Sequence, residues 1–162
     1  MNRLMKTKTG LLLAVILLLS ACKQDNWIDW KLQNEMWLSK NAKNENVNLS
    51  PSGSGLQYTI LYEGNPYDAK PSQSATVAID YKGELINGVV FEEGSATLSV
   101  ANLVEGFREG LSFMHVGGDA EFYIPADLGY GSEATGTEGS SSYIPPYSTL
   151  IFEVHLSSII EN

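Results

Sequence analysis

The sequence predicts an α+β fold in which an antiparallel β-sheet curls around one short α-helix, preceded by an N-terminal signal and a short helical tether. Two observations predict it. From residue 56 onward, short segments alternate apolar and polar side chains, which is the period of a half-buried strand. Between Asn102 and Met114 the apolar period becomes helical, and Gly106 and Gly110 lie on the apolar face.

The first 21 residues have the pattern of an export signal. A basic stretch precedes an unbroken apolar run from Leu11 to Leu19, which is shorter than the roughly 20 residues that a membrane span needs. The run ends in Leu-Ser-Ala-Cys, which resembles the bacterial lipobox, so we expect cleavage after Ala21 and acylation of Cys22. The alternative is an ordinary cleaved signal with a chance cysteine, although Cys22 is the only cysteine in the chain.

Residues 22–55 are predicted to form a tether between the lipid and the domain. Helical spacing predicts a short helix over residues 27–42; the residues that show it are Trp27, Trp30, Asn34, Trp37 and Leu38. The tryptophans either lie at the headgroup level of a membrane or pack on the domain or on a second copy. Residues 27–38 are therefore a candidate homodimer contact, and the polar residues 39–55 are predicted to be a flexible linker.

Residues 56–162 are predicted to form the globular domain. Strands are predicted at residues 56–62, 76–82, 89–91, 96–100, 120–124 and 150–157. Asn87-Gly88 is typical of a two-residue hairpin turn. In the last strand Leu150 is expected to face the core and Ile151 to face outward.

The predicted helix over residues 102–114 contains two glycines that need a reason. Asn102 is the expected N-cap, with Glu105 completing a variant of the capping box. Each glycine costs about 1 kcal/mol in a helix interior. We therefore infer that a sheet approaches the helix backbone closely at Gly106 and Gly110; the alternative is a poor helix that the glycines break.

Charge and motif content exclude several function classes. The formal charge is 10 − 19 = −9, and without the first 21 residues it is 7 − 19 = −12, which argues against nucleic acid as a partner. His115 and His155 are not in a metal-ligand spacing, and neither a nucleophile elbow nor a phosphate loop is present. Glu92 and Glu93 are adjacent, so in a strand they point to opposite faces. We expect no metal and no cofactor.

Several short motifs occur in a fixed order between residues 71 and 156. They are Asp-Tyr-Lys-Gly at 80–83, Asn-Gly at 87–88, Leu-Val-Glu-Gly-Phe at 103–107, Met-His-Val-Gly at 114–117, Ile-Pro-Ala-Asp-Leu-Gly-Tyr-Gly at 124–131, Ile-Pro-Pro at 144–146 and Thr-Leu-Ile-Phe-Glu-Val at 149–154. Together they resemble an FKBP-type peptidyl-prolyl cis-trans isomerase domain. The resemblance implies an FKBP-like sheet curled around a short helix and the isomerisation of X–Pro bonds.

The resemblance also implies an active-site cradle of aromatic and apolar residues. The catalytic residues would be Tyr81, Phe91, Glu92, Phe107, Tyr130 and Phe152, and the substrate-binding residues Leu103, Val104, Tyr143 and Ile144. Phe107 would be the floor, and the Val104 amide and the Tyr130 hydroxyl would hold substrate carbonyls. Glu92 stands where the family usually has aspartate. The loop over residues 91–98 is short and lacks a wall aromatic, whereas the longer loop over residues 131–143 is expected to form a flap.

Two functions remain open at this point. The first is an isomerase that acts on proline-containing exported proteins, anchored by the lipid on Cys22 in the envelope of a Gram-negative-type bacterium, at the outer membrane. The second is a weakly catalytic or inactive binding module that acts as a chaperone or assembly factor. Glu92 and the missing aromatic favour the second, and the intact set of pocket residues favours the first.

Overall fold

The structure is a computed structural model that describes residues 27–161. The predicted signal and Cys22 lie outside the described residues. The helices are α1 (Trp27–Asn41) and α2 (Glu105–Leu111), and the strands are β1 (Asn48–Leu49), β2 (Gln57–Tyr62), β3 (Thr76–Leu85), β4 (Val90–Ser99), β5 (Asp119–Ile124) and β6 (Leu150–Glu161). Within this part of the chain, neither helix is long and apolar enough to cross a membrane.

All six strands form one sheet in the order β1-β2-β5-β6-β3-β4, and every neighbouring pair is antiparallel. One face of this sheet packs on α2 and encloses the hydrophobic core, which includes Val77, Phe107, Phe122 and Leu156. All buried members of the core lie between residues 56 and 156. The predicted α+β fold with an antiparallel sheet and a short helix is confirmed.

The segments predicted as two short strands at residues 89–91 and 96–100 are one strand, β4. It pairs with β3 along almost its whole length through the hairpin at Asn87-Gly88, where Gly88 has a φ of 80°. The Leu85 amide closes this turn by donating to the Val89 carbonyl at 2.9 Å. The sequence does not predict one continuous strand, because β4 lies at the edge of the sheet and its middle residues 92–95 are exposed. These residues are polar or glycine, so they lack the alternating apolar pattern of a half-buried strand.

Helix α2 is shorter than predicted, and the expected cap is wrong. Asn102 belongs to a 3-10 helix, Val100–Asn102, and Val104 is the N-cap residue of α2 without a side-chain cap. The Leu103 amide donates to the Val100 carbonyl at 3.1 Å, so the chain turns once before α2 begins. Asn102 is thereby placed too early in the chain to cap α2.

The inference from the two glycines of α2 is confirmed. A Cβ atom on Gly106 would lie 2.5 Å from Ile124 Cγ2, and one on Gly110 would lie 2.8 Å from three ring atoms of Phe122. Both neighbours belong to β5 and are fully buried. The sheet therefore approaches the helix backbone so closely that only glycine fits at both positions.

Helix α1, described from Trp27 onward, covers the residues over which the spacing predicts a helix, and it packs on the domain. Trp30 Nε1 donates to Ser148 Oγ at 3.0 Å, and the buried Asn34 side chain accepts from the Thr149 amide at 2.7 Å. The Trp37 ring lies 5.8 Å from that of Tyr123. Of the alternatives for the tryptophans, packing on the domain holds for Trp30 and Trp37.

Strand β6 places Leu150 in the core as predicted, but Ile151 is also buried, with 9% of its surface exposed. Its sheet partner is Tyr123, which the Trp37 ring contacts. Ile151 therefore lies on the outer face of the sheet, as predicted. It is nevertheless buried, because the outer face of the sheet is covered at this point.

The prediction of a flexible linker over residues 39–55 is wrong at both ends, because residues 39–41 belong to α1 and the second half is bound to the domain. Strand β1 pairs with β2, and the hydroxyls of Ser50, Ser52 and Ser54 all donate to the Glu109 carboxylate on α2. The Ser52 and Ser54 bonds measure 2.6 and 2.8 Å. Polar composition suggested a free segment, but the alternating serines face one carboxylate.

Candidate active site

A cavity of about 270 Å³ opens beside α2, between strands β3, β4 and β6. Its walls are mostly apolar and aromatic. The lining residues are Ile79, Tyr81, Glu92, Leu98, Asn102, Leu103, Val104, Phe107, Tyr130 and Phe152. The cavity is therefore assembled from strands, from the turn before α2, and from the loop that follows β5.

Phe107 is held rigidly by edge-to-face contacts with two other rings. Its ring centroid lies 4.8 Å from that of Phe152 at 83°, and 5.6 Å from that of Phe122 at 85°. Phe107 is 4% exposed and Phe152 is 7% exposed. Such aromatic pairs contribute about 0.5–1.5 kcal/mol each beyond the burial of area, so the ring orientations are fixed before any ligand binds.

Phe91 lies behind this aromatic wall rather than in it. Its ring meets that of Phe152 edge to face, at 5.4 Å and 88°, and it is absent from the lining. Gly83 on β3 provides the space, because a Cβ there would lie 2.5 Å from Phe91 and 2.7 Å from Phe152. Phe91 therefore supports Phe152 from behind.

Tyr81 and Glu92 form a hydrogen-bonded pair across β3 and β4. The Tyr81 hydroxyl donates to Glu92 Oε1 at 2.7 Å. This bond, burial and the charge of Glu92 together raise the pKa of Tyr81 to about 12. Tyr81 is therefore a neutral phenol at physiological pH, and it fixes one oxygen of the Glu92 carboxylate at the edge of the cavity.

Val104 and Tyr130, which also line the cavity, each carry a further hydrogen-bond donor. Burial, and then the charge of Glu92, raise the pKa of Tyr130, so its hydroxyl keeps its proton. Among residues 27–161, that hydroxyl and the Val104 amide have no acceptor. Tyr130 is 40% exposed. A bound polypeptide can thus satisfy both donors with its carbonyl oxygens.

Most of the site residues expected from the sequence lie together around this cavity. Those that line it are Tyr81, Glu92, Leu103, Val104, Phe107, Tyr130 and Phe152. Ile144 is instead a core residue, 3% exposed, whose backbone bridges Thr135, and Tyr143 is half-buried outside the lining. No residue of the loop over residues 131–143 lines the cavity, so the expected flap does not cover it here.

Sequence reasoning missed three lining residues. Ile79 precedes Tyr81 by two positions on β3, and this alternation places both side chains on one face, which is a signal that could have identified it. Leu98 was assigned only to a short strand, and Asn102 only to a helix cap. Both enter the cavity because β4 is continuous and leads into the 3-10 helix.

A second, more polar recess of about 550 Å³ lies near the three serines and α2. Its central carboxylate, Glu109, is already bound by the hydroxyls of Ser50, Ser52 and Ser54. Burial raises the pKa of Glu109, but the three hydrogen bonds outweigh it and hold that pKa below its usual value. In the described part of the chain, no cluster of His, Cys, Asp or Glu is arranged to hold a metal ion.

Comparisons with known proteins agree with this architecture. The family profile of the FKBP-type peptidyl-prolyl cis-trans isomerases matches residues 67–157. The outer membrane protein MIP of Legionella longbeachae is 37% identical over 134 residues, which cover 80% of this chain and 54% of that protein. The FKBP-type 22 kDa peptidyl-prolyl cis-trans isomerase of Escherichia coli is 37% identical over 129 residues, covering 76% and 58%.

Solved structures give the same result for the fold. The crystal structure of FkpA from Escherichia coli superposes with a TM-score of 0.73 at 30% identity, covering 87% of this chain and 64% of that chain. The chain spans about half the length of most curated relatives it matches.

Proposed function

The chain belongs to the family of FKBP-type peptidyl-prolyl cis-trans isomerases, and we propose that it accelerates the rotation of X–Pro bonds in polypeptides at the cavity beside α2. The observation that carries this proposal is the aromatic cavity itself. It combines the rigid ring of Phe107 with two unpartnered hydrogen-bond donors, Val104 N–H and Tyr130 O–H.

The chemistry of this reaction suits such a site. Rotation about an X–Pro amide needs neither a nucleophile nor proton transfer, and its barrier of roughly 18–20 kcal/mol comes from amide resonance. The twisted amide loses that resonance and part of its dipole, so an apolar environment favours it over the planar ground state. Lowering the barrier by about 5–6 kcal/mol would give about four decades in rate.

Five of the lining residues have a defined role in this proposal. The proline ring lies on Phe107, and Phe152 and Tyr81 form the walls. The Val104 amide and the Tyr130 hydroxyl hold the substrate carbonyls on either side of the rotating bond, which restrains the flanking chain while the amide twists. Phe91, Tyr143 and Ile144 support the cradle from outside the lining.

The test is an exchange measurement on a panel of X–Pro peptides with residues 23–162, which contain the whole buried core. We expect acceleration by the wild type and a loss of about tenfold for Tyr130→Phe, the effect of one lost hydrogen bond of about 1.4 kcal/mol. Tyr67→Phe is the matched control, since Tyr67 is 96% exposed and outside the cavity. No acceleration on any peptide by a folded protein contradicts the proposal.

A second candidate function is a weakly catalytic or inactive binding module that acts as a chaperone or assembly factor. The observation that favours it is the wall from β4, which contributes Glu92 and Leu98 to the lining and no aromatic side chain. Peptide binding without accelerated exchange in the same experiment would support this alternative.

We also place the protein in the envelope of a Gram-negative-type bacterium, anchored at the outer membrane by a lipid on Cys22, where exported polypeptides are its substrates. The lipobox-like sequence supports this, and one relative is named an outer membrane protein. Expression with a labelled fatty acid is the direct test. The wild type should be labelled and found with membranes, whereas Cys22→Ser should be unlabelled; an unlabelled wild type contradicts the anchor.

We further propose that two chains associate through residues 27–38. Ile28, Leu32 and Met36 are 72%, 53% and 63% exposed and lie on one stripe of α1. That stripe is opposite the side that carries Trp30 and Asn34, which pack on the sheet. Sedimentation should show a dimer that Leu32→Ser dissociates and the neighbouring control Gln33→Ser does not. A wild type that stays monomeric at high concentration contradicts this association.

A further inference from the structure

The wall of the cavity carries a single charge. Of the described residues that line it, Glu92 is the only one with an acidic or basic side chain; the other members are apolar, aromatic or, in the case of Asn102, a neutral amide. Glu92 Oε1 accepts from the Tyr81 hydroxyl at 2.7 Å. Its second oxygen meets no donor among residues 27–161. Half of the carboxylate is therefore open to a polypeptide in the cavity.

No cation of the described chain neutralises Glu92. The ion pairs formed within residues 27–161 do not include it, and Lys82 on the adjacent strand pairs with Glu84 at 2.9 Å. Its field extends across the cavity, because the charge of Glu92 adds to the effect of burial in raising the pKa of Tyr130. Basic residues are also the minority in the chain, which carries a formal charge of 7 − 19 = −12 without its first 21 residues.

We propose that Glu92 makes this cavity select polypeptides with lysine or arginine next to the proline and disfavour those with aspartate or glutamate there. The proposal rests on the function proposed above, as an isomerase or as a binding module. A flanking cation is attracted to the open oxygen, and a flanking anion is repelled by it. The difference in affinity between the two kinds of substrate is therefore the sum of the attraction and the repulsion. A substrate with a neutral flanking residue should bind with intermediate affinity.

The test compares peptides that differ only in a lysine, a leucine or a glutamate directly before or directly after the proline. NMR titration of residues 23–162 gives the dissociation constant of each peptide, and exchange spectroscopy on the same samples gives its isomerisation rate. We expect the lysine peptide to bind about tenfold more tightly than the glutamate peptide at one or both positions. The Glu92 charge attracts the lysine and repels the glutamate. For a separation of about 8 Å between Glu92 and the flanking charge, in surroundings of high effective dielectric constant, the two effects together give a ratio of about ten.

Two variants and one change of conditions locate the origin of the ratio. Glu92→Gln removes the charge but keeps an oxygen that can accept from Tyr81, and it should reduce the ratio to about twofold or less. Glu93→Gln removes the same charge one residue along β4, beside Lys82 and outside the lining, and should leave the ratio unchanged. In about 1 M salt, where charges are screened beyond about 3 Å, the wild-type ratio should also decrease.

A wild-type ratio near one at both positions overturns the proposal, and so does a ratio that persists in Glu92→Gln. Binding is measured independently of exchange, so the two proposals fail separately. Peptides that bind with the expected ratio but exchange at the uncatalysed rate contradict the isomerase and leave the charge selection supported. Accelerated exchange without any charge ratio contradicts the charge selection alone, and no binding by any peptide overturns both.

Discussion

Gly110→Ala tests whether the helix is glycine-rich because the sheet packs directly on its backbone. On an exposed helix this change would stabilise the protein by about 1 kcal/mol, because alanine has the higher helix propensity. Here the new Cβ would lie 2.8 Å from three atoms of the Phe122 ring, which is fully buried and has no free space to move into. Overpacking costs about 1–3 kcal/mol, and three contacts at 2.8 Å place this change in the upper half of that range. Subtracting the gain of about 1 kcal/mol in helix propensity leaves an expected net destabilisation of about 1–2 kcal/mol.

Urea denaturation of residues 23–162 measures this change. With a slope of about 1–3 kcal/mol/M, the midpoint should decrease by roughly 0.5–1 M. The double variant Gly110→Ala with Phe122→Leu is the control: a smaller partner relieves the contact, so the two changes should be non-additive by about 1 kcal/mol. A midpoint equal to or higher than that of the wild type would refute the close approach of β5 to α2.

The remaining predictions concern the serine contacts of α2, the Tyr81–Glu92 pair and the packing of α1. The pKa of Glu109 is lowered in the folded state, so this residue stabilises the fold at neutral pH. The stabilisation is lost as the pH falls below 4.5, the ordinary pKa of a glutamate. In urea midpoints measured against pH, Glu109→Gln should lose less stability over this range than the wild type. An equally steep loss in the variant would contradict the role of Glu109. An NMR titration that follows the Tyr81 ring should show it ionising at about 12, and Glu92→Gln should move this pKa toward 10.0. An unmoved pKa would exclude Glu92 as the cause. Trp30→Phe should lower stability by about 1–2 kcal/mol through the lost Ser148 bond and lost packing, whereas an equal effect of Trp27→Phe would argue against that contact.

The fold could be predicted from the sequence wherever one side of an element is buried. Strands β3, β5 and β6 are half-buried, so their alternating side chains follow the period of a strand. The spacing of Gly106 and Gly110 predicted a close contact between α2 and the sheet, because only close packing offsets their helix cost; the structure shows that β5 makes this contact. The edge strand β4 has no such signal, since its middle is exposed and polar.

The candidate site was predictable where a residue type is unusual for its place. Tyr130, which lies between two glycines in a loop, is the example, and it lines the cavity; Phe107 was expected there only from the family resemblance. Leu98 and Asn102 are ordinary residues for a strand and a cap, so nothing in the sequence distinguished them. The contacts of Ser50, Ser52 and Ser54 were also hidden, because a polar segment looks the same whether it is solvated or bound to one carboxylate.

The most direct test of the account is the isomerisation rate of X–Pro peptides with Phe152→Leu beside the wild type. Phe113→Leu is the matched control, because Phe113 stacks on Tyr58 at 4.5 Å and lies outside the cavity. The account predicts that both variants stay folded by circular dichroism, that Phe113→Leu keeps the wild-type rate, and that Phe152→Leu loses at least about tenfold, equivalent to about 1.4 kcal/mol of transition-state stabilisation. Equal rates for all three proteins would contradict the placement of catalysis in this cavity.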